Sequence, residues 1–195
     1  MKNFYIKNMM LIHKFLLNQL AMSLFGFMTI IAMSSFGGFT MYVTTTVAAL
    51  FFASLLYDSA WDEGARDRNK ITNNRLIPRP FHGVKVALFS YIPTYLFLVP
   101  YVLLTAVSLM GYTAVDSVAA IFKALTIFLC NGMYLGFSYG LTDLFPDTYA
   151  FFFILYLIPA VVAYGIGYYL GTKDLQLKTY FGMAPTTDIP VKKSK

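Results

Sequence analysis

The chain has 195 residues, of which 58% are hydrophobic and only 12% charged, with a mean hydropathy of +0.62. A soluble domain usually carries about 25% charged residues, so this composition leaves too little polar surface to cover a water-soluble globule. The net charge of +6 does not point to nucleic acid, because the cations cluster beside apolar runs and no nucleic-acid-binding motif accompanies them. Cys130 is the single cysteine, which excludes an intramolecular disulfide and a cysteine zinc site and leaves apolar packing as its expected role.

Charge-free runs locate the membrane: Phe15 to Tyr57 is 43 residues, Val86 to Val115 is 30, Ala124 to Thr142 is 19 and Thr148 to Thr172 is 25. A spanning helix needs about 20 apolar residues, so the first run holds two spans and the second and fourth hold one each. At the N-terminus, Lys2, Lys7 and Lys14 precede the first apolar stretch, and Ala32-Met33-Ser34 resembles a small-residue cleavage site. The polar lead is long and the apolar run continues into a second span, so an uncleaved first helix is expected.

Ser34-Ser35-Phe36-Gly37-Gly38 breaks the first run. Paired glycines permit the positive dihedrals of a tight turn, which predicts a helical hairpin with spans near 14–34 and 39–58. The hydroxyls of Thr44-Thr45-Thr46 are tolerated in a bilayer because they bond backbone carbonyls or a neighbouring helix.

A charged island follows, Asp58 to Lys85, holding 10 of the 24 charged residues. Asp62 with Arg66, Glu63 with Arg66, and Asp67 with Lys70 stand at helical spacing, so the second helix is expected to continue into solvent. Asn73-Asn74 and Pro78-Arg79-Pro80 then impose turns and extended backbone. The third span, about 84–110, carries Pro93 and Pro100 on one face, which predicts kinks. Lys123 lies at the edge of the next apolar stretch, near enough to snorkel, and Asn131-Gly132 interrupts that stretch near its middle. The last span is expected at about 149–171, with aromatic residues at both ends.

Cations gather in the N-terminal flank, in the island and in the tail after Lys173, whereas the 34–38 turn has none. The positive-inside tendency therefore places N-terminus, island and tail together in the cytoplasm, which requires an even number of crossings. The expected fold is an all-α polytopic transmembrane helix bundle with four full spans and one interfacial or re-entrant helical element at about 116–142; five spans is the alternative. Residues 1–172 form a single transmembrane domain with the cytoplasmic loop 58–85, and 173–195 form a basic cytoplasmic tail. No internal repeat is evident, and the two histidines, His13 and His82, belong to no hydrolase motif.

Asp58 and Asp62, one helical turn apart at the membrane edge, form a candidate Mg²⁺ site for a diphosphate-bearing lipid. The order of apolar hairpin, spaced aspartates, Arg66-Asp67-Arg68-Asn69-Lys70 and Arg75-Leu-Ile-Pro78-Arg79-Pro80 is similar to the first aspartate-rich loop of the intramembrane prenyltransferases of the UbiA type. The resemblance implies aspartates that bind the magnesium diphosphate of a prenyl donor, with Asp143 and Asp147 as candidates for a second motif. It covers about 30 residues. Tyr57-Asp58 replaces the family's asparagine-aspartate start, the aspartate spacing differs, and the chain is too short for the family's larger helix set. An even-span topology also sets Asp143 and Asp147 opposite the island, so membership is not assigned.

The leading reading is a small non-enzymatic membrane protein that docks another membrane subunit or anionic lipid through Trp61, Arg66, Arg68, Arg75 and Arg79. No cofactor is expected under it. Two alternatives are a small transporter or substrate-binding subunit with a pocket at Pro93, Pro100 and Asn131, and a Mg²⁺-dependent lipid or prenyl diphosphate enzyme using Asp58 and Asp62.

Overall fold

A computed structural model describes residues 2–145 and 149–175. Among these residues eight α-helices follow one another: α1 (Lys2–Met33), α2 (Gly38–Thr72), α3 (His82–Ser90), α4 (Ile92–Leu109), α5 (Asp116–Thr126), α6 (Leu135–Leu144), α7 (Tyr149–Phe152) and α8 (Leu157–Thr172). No strand occurs among the described residues, and five helical stretches are long and apolar enough to cross a membrane. The chain is therefore an all-α transmembrane bundle.

The hairpin turn falls where the sequence places it. Gly37 adopts φ +94°, a conformation that side-chain-bearing residues rarely reach, and starts α2 directly after the short 3₁₀ turn Ser34–Phe36. α2 then runs far past the apolar region, as its helical charge spacing requires. It ends at Asn73-Asn74, where Asn74 takes the left-handed conformation at φ 54° and the Arg75 N–H caps the Lys70 carbonyl at 2.8 Å.

Side-chain contacts give the depth of every later segment. Phe4 packs on His82 and Phe89, Phe15 on Tyr91, and the Gln19 amide donates to Thr94 Oγ1 at 2.8 Å. α3 and α4 therefore rise beside α1 in the same direction, from the island end to the hairpin end. The helix breaks at Tyr91, so Pro93 sits in the first turn of α4, where a missing donor is tolerated. Of the two prolines, Pro100 lies inside α4.

The stretch 113–142 is long enough to cross by length and composition, yet its contacts fold it back. α5 descends from the end of α4, and just beyond it the Cys130 carbonyl accepts from the Gln19 amide at 3.3 Å, at the depth of Thr94. A π-helical turn (Ile127–Asn131) and a 3₁₀ turn (Gly132–Tyr134) follow. Beyond them the chain climbs again, because the Gly136 N–H reaches Thr45 at 3.1 Å and Gly140 abuts Tyr42, near the start of α2. α5 and α6 are a re-entrant pair broken at Asn131-Gly132, which leaves four full crossings.

Ser23 makes that reversal affordable in apolar surroundings, where unpaired backbone groups cost several kcal/mol. Its hydroxyl donates toward the Ile127 and Phe128 carbonyls of the π-turn, 3.0 and 3.1 Å away, and accepts from the Gly132 N–H at 2.7 Å. A Cβ on Gly132 would strike the Ser23 carbonyl.

α8 closes the bundle by descending to the island end. Tyr164 packs on Phe15 at 5.4 Å, and the Trp61 indole N–H donates to the Leu175 carbonyl at 2.8 Å. α2 and α8 approach backbone to backbone. A Cβ on Gly64 would collide with the Tyr168 carbonyl, and one on Gly171 with the Trp61 carbonyl. Small residues at such positions let membrane helices gain close packing where no hydrophobic force between helices operates.

N-terminus, island and the residues after α8 therefore share one end of the bundle. The expected tail beyond Leu175, with Lys178, Lys192, Lys193 and Lys195, lies outside the described residues, as does Asp147.

Two outcomes check this architecture. Cys130 is buried, so Cys130 leaves a quiet background for single cysteines introduced at other sites: Ser35→Cys, Tyr112→Cys and Leu144→Cys should label from one side of a sealed vesicle, and Arg75→Cys and Lys173→Cys from the other. A five-crossing chain would place Leu144 with Arg75. Separately, Gly171→Leu should lower stability by about 1–3 kcal/mol through overpacking, read as a drop in melting temperature in detergent.

Candidate functional site

A cleft of about 500 Å³ opens at the island end, between the N-terminal turns of α1, the solvated end of α2, and the 73–82 loop. Its cations are Lys7, Arg66, Lys70, Arg75 and Arg79. Two acids face them, Glu63 and Asp67. Each acid already has a basic partner: Arg66 stands 3.8 Å from Glu63, and Lys70 Nζ 2.8 Å from Asp67. Five cations less two acids leaves a local excess of three, and no ion pair among the described residues holds Lys7, Arg75 or Arg79.

Asp67 anchors the floor. It is buried and accepts a second hydrogen bond from the Tyr168 hydroxyl at 2.9 Å. A buried carboxylate needs such partners, because an unpaired buried charge is strongly destabilising. Tyr168 in turn packs against the His82 ring at 5.2 Å, and Phe4 meets the other side of that ring edge-on at 5.7 Å. His82 is therefore buried, and desolvation holds its pKa below the ordinary value; Asp67 opposes the shift while Arg79, Lys7 and Lys85 reinforce it.

A smaller cavity of about 340 Å³ adjoins the cleft and shares Arg79 and His82 with it. Lys85 supplies its own cation, and Phe4, Pro80 and Phe81 its apolar walls.

The residues singled out from sequence fall into separate places. Arg66, Arg75 and Arg79 meet in the cleft. Arg68 turns to the end of α8 and pairs with Asp174, and Trp61 is half-buried with its N–H engaged by Leu175. Asp62 is exposed and Asp58 half-buried, and neither lines the cleft. No group of three or more His, Cys, Asp or Glu side chains converges on a metal-sized site among the described residues. Pro93, Pro100 and Asn131 also lie away from the cleft. Asn131 is buried at the re-entrant turn, and its amide nitrogen has no hydrogen-bond partner among the described residues.

Sequence reasoning missed Lys7, Glu63 and Asp67 as cleft residues. The i,i+3 and i,i+4 spacing of 63, 67 and 70 marks one face of α2, but nothing local shows that Lys7 of α1 lies across from it.

No family model matches the chain, and neither the curated proteins nor the solved structures supply a match.

Burial of neutral His82 has a pH consequence. Its folded pKa lies below its unfolded value, so its contribution to stability is present above the ordinary value of 6.5 and is lost as pH falls through the lower folded value. The melting temperature should therefore decline as pH falls below about 6.5, and His82→Asn should flatten that decline.

Proposed function

We propose that this membrane protein is a lipid-interacting subunit whose island-end cleft docks the phosphate of an anionic lipid. One observation carries the reading: cations with no ion-pair partner among the described residues stand next to apolar surface in a single cleft. Lys7, Arg75 and Arg79 supply the charge, and Met10, Leu11 and Leu76 line the same space. Met10 is 85% exposed, which is costly in water and favourable against an acyl chain.

This combination fits an amphiphile better than a soluble anion or an acidic protein segment. A headgroup phosphate accepts charge-assisted bonds from arginine, often two at a time, while the chain stays in the bilayer. Basic residues near an anionic leaflet each gain about 1 kcal/mol, and salt screens that gain. Nothing in the cleft requires a reaction. The carboxylates that face it are engaged by Arg66, Lys70 and Tyr168, so they neutralise and orient cations rather than await a substrate.

The test is lipid-dependent stabilisation of the purified protein. Phosphatidylglycerol added to neutral detergent should raise the melting temperature more than phosphatidylcholine does, and the difference should shrink in high salt. Arg75→Gln with Arg79→Gln should weaken phosphatidylglycerol binding about 10- to 30-fold, whereas Lys173→Gln, outside the cleft, should leave it within about twofold. Equal stabilisation by both lipids would overturn the reading.

A further inference from the structure

The cleft does not stand alone. Its neighbour shares Arg79 and His82 with it, and each compartment has at least one cation and an apolar wall of its own. On one side stand Lys7 and Arg75 with Met10 and Leu11; on the other stands Lys85 with Phe4 and Phe81. Among the described residues no acid lines the smaller compartment, so an anion there meets none of their carboxylates.

We propose that the two compartments together bind one lipid carrying two separate phosphodiester groups, a diphosphatidylglycerol, with Arg79 between the phosphates. This rests on the reading of the cleft as a lipid-phosphate site and adds the identity of the lipid class. Three features favour one two-phosphate lipid over two independent lipids. Arg79 belongs to both compartments, so separate headgroups would compete for it. The volumes, about 500 and 340 Å³, provide two headgroup-sized spaces side by side. Each space also has its own apolar flank, as a lipid with chains on both phosphates requires. Tethering the two phosphates makes the second contact intramolecular, which raises affinity without any new contact type.

Lys85 distinguishes this from single-phosphate docking, because it lines only the smaller compartment and Arg75 only the larger. The experiment measures lipid affinity of the full chain in nanodiscs of phosphatidylcholine doped with either phosphatidylglycerol or cardiolipin, at equal total phosphate. Cardiolipin should bind at least about tenfold more tightly than phosphatidylglycerol. Lys85→Gln should erase most of that advantage while leaving phosphatidylglycerol within about twofold, and Arg75→Gln should weaken both lipids about fivefold. Displacement of either lipid by soluble inorganic pyrophosphate at micromolar concentration would overturn the assignment in favour of a free diphosphate. Equal affinity for the two lipids, or an equal effect of Lys85→Gln on both, would overturn the two-phosphate claim and leave simple anionic-lipid docking standing. Binding of neither lipid above the phosphatidylcholine background would remove both.

Discussion

The backbone contact between α2 and α8 is the constraint on which the rest of the architecture depends. Gly64 and Gly171 bring two helices so close that side chains other than hydrogen have no room. That approach sets the depth of Tyr168 against Asp67, holds Leu175 under Trp61, and returns the chain to the island end after α8. Without it the floor of the basic cleft would lack its hydroxyl donor, and a buried carboxylate would have one partner fewer.

Even crossing depends on a second polar device, at mid-depth. α5 and α6 turn back inside apolar surroundings, which is tolerable only where the freed backbone groups are paired. Ser23 does that from α1, meeting two carbonyls and one amide, while Gln19 links the same turn to α4 through Thr94. One hydroxyl and one amide thereby pair the backbone where the stretch 113–142 turns back rather than crossing. That choice sets which ends of the bundle share a side.

The electrostatics of the island follow from these positions. Acids along one face of α2 neutralise their own helical neighbours, so the surplus charge comes from outside that helix: Lys7 on α1, and Arg75 and Arg79 on the loop that follows α2. Arg68 and Trp61 belong to a different assembly, the latch between α2 and the end of α8. What looks along the chain like one basic series is two structures, one holding α2 to the end of α8 and one lining the basic cleft.

The amino-acid sequence determined the class, the hairpin, the long solvated end of α2 and the break at Asn131-Gly132. Each of these rests on local physics: apolar length against bilayer thickness, glycine dihedrals, i,i+4 charge spacing and helix interruption. The distribution of lysines and arginines further required an even number of crossings, which the depth of α6 and α8 matches. Tertiary structure alone decided that Lys7 faces Arg75 across a cleft and that Arg68 leaves it. It also decided that His82 is buried and that Pro93 falls harmlessly in a first turn. Those outcomes depend on how helices far apart in the chain are rotated against one another. Close packing at Gly64, Gly132 and Gly171 sets that rotation, and no local pattern encodes it.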